Sequence, residues 1–166
     1  MKYITLVILF FFNVTTFAYG SNVVYIDMSY ILSNSIKGKS ILDELESKNK
    51  SNIKELESKE KILKDLEKSI SNQKNILSKE EFEKKVNELQ GKVIIFRKDK
   101  DKLVQEFNDL KNNMIQNFMK NVEPIVSDYM QKKSINIVLA KKDVIIGKKN
   151  LDITNEILEI VDKNIK

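Results

Sequence analysis

The sequence predicts a mostly α-helical protein with a small β part: a long antiparallel coiled-coil hairpin of helices projecting from a small β-containing body. Three observations predict it. Gly and Pro are scarce, 4 and 1 in 166 residues, so long uninterrupted elements are expected. Two runs of apolar residues at alternating three- and four-residue steps fill the middle of the chain. β-branched stretches occur only near its two ends, at Asn22–Asp27 and Ile135–Gly147.

Residues 1–20 precede these elements. Lys2 is followed by an apolar run through Phe12, then by small residues at Ala18 and Gly20. That order is expected of a cleaved export signal ending before Ser21, too short for a comfortable membrane span. "NVVYID" then reads as a strand ended by Asp27, "SYILSNS" as a short helix or turn, and Gly38 as a break before the long helix. Residues 21–37 and 134–166 are expected to form the body, and 38–133 the arm.

The first arm helix carries Leu42, Leu56, Leu63, Ile70 and Leu77 on a seven-residue grid, with Asn49 filling the gap and Leu45 and Leu66 at companion positions. Asn52, Lys59 and Gln73 are polar there. The second run is cleaner: Phe82, Val86, Leu89, Val93, Phe96, Lys100, Leu103, Phe107, Leu110 and Met114, with only Lys100 polar. One continuous helix would place Glu80 and Lys84 on the seam after Leu77. The apolar series restarts instead at Phe82, and Ser78 with Glu81 spells a capping box. A turn near 77–79 is therefore expected, with arms roughly 60 Å long. Pro124 is expected to bend or break the second helix near Glu123.

Beyond the arm, Ile135, Ile137 and Leu139 read as one face of a strand, Lys141 and Lys142 as its turn, and Val144 to Ile146 as a returning strand. Asp152 is placed to cap a last helix with Ile153, Ile157 and Val161 on one face. Three short strands bury little and leave open edges, which copies of the chain assembling around an axis would close. The expected oligomerisation residues are Val24, Ile26, Ile135, Ile137, Leu139, Val144 and Ile146.

The chemistry available is narrow. His, Cys and Trp are absent, which removes the commonest general base, the thiol nucleophile and the usual transition-metal ligands. No Gly-rich phosphate loop or carboxylate cluster appears, so neither enzyme, metal nor cofactor is expected. The net charge is +5, which admits weak contact with anionic membrane lipid. A nucleic-acid partner is not expected, because the chain opens on an export signal and lacks a dense basic stripe.

"NVVYIDMSYILSNSIKGKSILDELE" and "INIVLAKKDVIIGKKNLDITNEILEIVDK" resemble the two ends of the Skp/OmpH family of periplasmic chaperones. In that family a strand, a short helix and Gly-Lys precede the long arm, and a strand pair and an Asp-Ile-Thr helix start follow it. The resemblance implies a homotrimer whose strands build one body completed by trimerisation, with three helical arms around a cavity. It implies an ATP-independent holdase in the periplasm, its partners unfolded outer-membrane proteins. Lys39 to Lys102 carries 17 Lys/Arg against 14 Asp/Glu, only mildly basic for that family, and an Arg-rich lipopolysaccharide patch has no counterpart. Apolar residues off the seams, Ile53, Ile62, Ile76, Ile94 and Ile95, are the expected client contacts. Lys61, Lys64, Lys84, Lys85, Lys92 and Lys98 are the expected basic arm surface. A structural coiled-coil adaptor or spacer of the envelope is the alternative, with one fixed folded partner instead of many unfolded ones.

Overall fold

The computed structural model describes residues 22–165, so the export signal expected at 1–20 lies outside the described residues. Strand β1 (Val23–Ile26) leads into α1 (Met28–Asn34), α2 (Ile36–Asn72), α3 (Lys79–Lys133), β2 (Ile137–Ala140) and α4 (Thr154–Asn164). Helices α2 and α3 run out and back as the arm. The two strands, α1, α4 and the last turns of α3 form the head.

The seam explains the arm. Facing pairs have a near-constant sum of residue numbers, as antiparallel helices require: Lys59 meets Asp99 at 3.1 Å and Gln73 meets Lys85 at 2.6 Å. Leu45, Asn52 and Ile70 are buried, and Leu56, Leu63, Leu66 and Leu77 half-buried between the helices. Ile41 takes the first place on this seam and Leu42 is left 37% exposed, with Asn49 exposed too. A straight helix drifts about 20° per heptad from a strict seven-residue grid, so the grid slides off the contact near the head. The same slack moves the polar seam position on α3. Asp99 is half-buried against Lys59, and Lys100 is outside.

Both ends of the turn are fixed by hydrogen bonds. The capping box forms, with Ser78 Oγ accepting from the Glu81 N–H and Glu81 accepting from the Ser78 N–H. Helix α2 ends at Asn72, so the turn spans Gln73–Ser78 and Lys79 is the first residue of α3. A proline at Lys79 should therefore be tolerated. A proline at Leu103 should cost about 3 kcal/mol or more. Urea unfolding followed by far-UV circular dichroism separates the two; equal loss at both sites would mean that Lys79 is not a helix start.

Two breaks read from the sequence are absent. Gly38 lies inside α2, and the chain bends at Ser35 instead, which ends α1 and caps α2 through the Gly38 N–H (3.1 Å). Pro124 sits inside α3, which continues to Lys133. Phe118 and Val122 just before it are 1% and 0% exposed in the head core, and this packing offsets the lost backbone bond.

The head has two strands and not three. β1 and β2 pair in parallel, Val23 opposite Ile137 and Ile26 opposite Ala140. The other side of β1 is taken by the Asp152 region, whose Ile153 N–H donates to the Tyr25 carbonyl at 3.0 Å. The expected returning strand Val144–Ile146 is not one. A 3-10 turn at Lys141–Asp143 intervenes where a two-residue hairpin turn was needed, and the following segment finds no strand partner among the described residues.

The core joins Val24, Ile26, Ile31, Ile41, Leu45, Phe118, Val122, Ile153, Ile157 and Val161. The last three confirm the apolar face of α4. Asp152, expected to cap it, lies one residue too early: Ile153 is the N-cap and makes no side-chain cap bond, while Asp152 accepts from the Thr154 N–H at 3.1 Å from just outside the helix. Burial pushes the Asp152 carboxyl up, but hydrogen bonds from Lys141 and Thr154 outweigh it and leave the group below its ordinary value. This contribution is present at neutral pH and is lost on acidification through the lowered value.

Candidate binding surface along one flank of the arm

An antiparallel helix pair has two distinguishable flanks. A half-turn about the normal to the plane of the pair exchanges the helices and keeps each flank. Residues that follow a seam position by one therefore lie on the same flank in both helices, about 100° round from the contact. Residues that precede a seam position lie on the other.

Three apolar grooves open on the successor flank. The first, about 650 Å³, lies at mid-arm between Leu63, Lys64 and Glu67 of α2 and Val93, Ile94, Arg97 and Lys100 of α3. A second, about 270 Å³, lies nearer the head between Ile53 and Leu56 on one helix and Leu103, Val104 and Phe107 on the other. The third, about 590 Å³, is at the root of the arm. It is lined by Ile26, Met28, Ile115, Met119, Val126 and Met130. The α3 side chains on these walls are seam successors: Ile94 after Val93, Val104 after Leu103, Ile115 after Met114, Met119 after Phe118, Val126 after Ile125 and Met130 after Tyr129.

The expected client residues do not form one surface. Ile53 and Ile94, 45% and 55% exposed, belong to the grooved flank. Ile62 and Ile95 precede Leu63 and Phe96 and so occupy the opposite flank; nine residues separate Ile53 from Ile62, half a turn out of phase. Ile76 is in the turn at the end of the arm. Val104 and Met119 are also exposed on the grooved flank, though neither is among the expected client residues. The signal was there in the doublets of α3, where a seam residue is followed at once by a second apolar residue.

The lysines divide similarly. Lys64 borders the mid-arm groove and pairs with Glu60 at 2.9 Å. That hydrogen bond holds the Lys64 ammonium above its ordinary value and Glu60 below it. Both are exposed, so the pair adds little to stability. Lys92 lies on the opposite flank and Lys85 is held by Gln73. Lys61, Lys84 and Lys98 are exposed away from the groove walls. With Glu60 answered by Lys64, the mid-arm groove keeps Arg97 and Lys100 against Glu67, one positive charge in excess.

The oligomerisation residues also divide. Val24 and Ile26 are buried within the chain's own core, while Ile137 and Leu139 face out at 47% and 43% exposure. Ile135 and Val144 are half-buried. Ile146 is 91% exposed, beside Ile145 at 98%. Among the described residues no group of His, Cys, Asp and Glu is placed to hold a metal ion, and no helix is long and apolar enough to cross a membrane.

A protein-family model described as outer membrane protein (OmpH-like) matches residues 22–161. Among solved structures, the chain is similar to a candidate outer membrane chaperone (OmpH-like) from Caulobacter crescentus CB15. The TM-score is 0.79 at 16% identity, with 87% of this chain and 86% of that one covered. At that identity the likeness shows the shared fold. No curated protein sequence matches.

Proposed function

We propose, from the premise that this chain belongs to the OmpH-like family of outer membrane proteins, that it is an ATP-independent holdase for unfolded outer-membrane proteins in the periplasm. The observation that carries the reading is the row of three apolar grooves on one flank from mid-arm to head, against a smaller one of about 180 Å³ on the other flank, half lined by Lys37, Asn117 and Asn121. Shallow, open grooves with apolar Ile and Val walls, and adaptable Met side chains at the root of the arm, accept many apolar side chains without demanding one shape. Contacts of this kind are individually weak, so a client remains mobile and leaves without nucleotide hydrolysis.

The chain works as a homotrimer exported by residues 1–20. The number three comes from the family resemblance. The need for a partner is supported by the head itself, since a two-stranded sheet with an open β2 edge and an apolar outer face is marginal alone. Three arms with their grooved flanks turned inward would shelter a client from pairing its strands with another chain.

The test is to replace Ile53, Ile94, Val104 and Met119 by serine and, separately, Ile62 and Ile95. Each protein is then challenged with a denatured outer-membrane β-barrel diluted from urea, and aggregation is read by light scattering. The four-residue variant should hold clients about a hundredfold or more weakly, at roughly 1 kcal/mol for each side chain that no longer leaves water. The two-residue variant should protect nearly as well as the parent. Equal loss in both would remove the sidedness and with it this binding surface. Salt should weaken holding only modestly, because the grooves carry little net charge and exposed charges are screened over about 8 Å.

A further inference from the structure

We propose that the methionines of the root groove, Met28, Met119 and Met130, are a reversible oxidation site, and that converting their thioethers to sulfoxides with hypochlorous acid weakens the hold of this groove on apolar chain. The inference rests on the holdase reading for its consequence in the cell, but not for its chemistry.

The chain concentrates its oxidisable sulfur in one place. It has 5 methionines and neither Cys nor Trp, so thioethers are its most readily oxidised side chains. Of the methionines after residue 20, only Met114 is not on the walls of the root groove. Met119 and Met130 are separated on α3 by close to three full turns, so they share its grooved flank. Met28 opens α1 and reaches the same groove from the head. Met119 is 38% exposed, and Met28 and Met130 are half-buried, so a small oxidant reaches all three from the open groove. Met119 and Met130 stand outside the core cluster, whereas Met28 and Met114 pack against it. Oxygen on Met119 or Met130 therefore alters the groove and leaves the core in place.

The step balances. The sulfur gives a lone pair to the oxygen of hypochlorous acid. An S–O bond forms as the O–Cl bond breaks, chloride leaves, and the hydroxyl proton passes to water. Sulfur loses two electrons and chlorine gains them. The product places a polar, hydrated oxygen where an adaptable apolar wall had been. An apolar side chain entering the groove must then strip water from that oxygen without replacing its hydrogen bonds, which is costly. Methionine sulfoxide reductases reverse the change: a dithiol closes to a disulfide, the oxygen leaves as water, and the thioether returns.

The test treats the exported protein with a small excess of hypochlorous acid and locates the added oxygen by peptide mass mapping. Met119 should be oxidised first, Met28 and Met130 next, and Met114 last. Groove binding is read in two ways: by the fluorescence of anilinonaphthalene sulfonate, which needs no client, and by the aggregation of a denatured outer-membrane β-barrel. Both affinities should fall about threefold or more, the other two grooves being untouched, with the far-UV circular dichroism and the mass of the assembly unchanged. Both should recover on treatment with reductases for the two sulfoxide epimers and dithiothreitol. A variant carrying Met28→Leu, Met119→Leu and Met130→Leu keeps volume and apolarity and retains Met114. Compared with its own untreated form, it should show no response to the oxidant. An oxidised parent that binds dye undiminished, an equal loss in the leucine variant, or oxygen on Met114 ahead of Met119 would overturn the proposal. Dye binding that falls and recovers in a protein that protects no client, treated or untreated, would uphold the oxidation site and overturn the holdase reading.

Discussion

Gly38→Ala is expected to cost about 3 kcal/mol of stability, while Gly91→Ala is expected to add about 0.5–1 kcal/mol. Both glycines are helical and neither has a positive φ, so backbone freedom does not distinguish them. Space does. A Cβ at Gly38 would lie 1.8 Å from the Leu32 carbonyl oxygen and 2.7 Å from its carbon. Those are backbone atoms of α1, which packs across the first turn of α2, so no side chain can swing aside. The bend at Ser35 would have to open, pulling fully buried Ile31 away from the core and loosening the bond from the Ile36 N–H to Asp162 (2.8 Å). At Gly91 a Cβ meets nothing within 4 Å, and alanine simply removes the entropic cost of glycine in a helix. Urea midpoints of the two variants, measured with the parent, should move in opposite directions. A shared direction would mean that the α1–α2 crossing is looser than the structure has it.

The same glycine shows what a sequence conveys and what it leaves out. The Gly-Lys before the arm was visible, and glycine reads locally as a break. Its actual task is a close approach of two helices, a long-range fact with no local signature. The arm seam was legible because three- and four-residue steps are a property of one helix. The capping box was legible because its two partners are three residues apart. Pro124 misled because the penalty is local whereas the packing of Phe118 and Val122 that offsets it comes from the head.

The head was harder to read for a related reason. Alternation over Ile135–Ile146 signals extended chain but not its partner, and the partner of β2 is β1, more than a hundred residues earlier. Of the proposed binding surface, the residue types were legible and their grouping was not. Ile53, Ile62, Ile94 and Ile95 look alike as off-seam aliphatics, and only their phase relative to the seam separates two flanks. The doublets of α3 carry that phase in the sequence itself.

Aspartate at Ile145 and Ile146 is expected to reduce the assembly to single chains without unfolding them. These are the most exposed large apolar residues in the described chain, 98% and 91%, so in one chain a charge there meets only water. The same holds for Leu139→Asp, because Leu139 lies on the outer face of β2 at 43% exposure. If copies cover this face, each chain buries two isoleucines worth about 1.5–3 kcal/mol apiece. A carboxylate forced into that contact adds a desolvation cost of several kcal/mol. Light scattering at micromolar concentration should then fall from the proposed three chains to one, with the far-UV circular dichroism of the long helices unchanged. Ile157→Asp makes the contrast. Ile157 is 0% exposed against the chain's own core, and its charge should unfold the head and lose assembly and head structure together. An Ile145 and Ile146 double variant that stays folded and keeps the parent mass would show that copies meet through another surface.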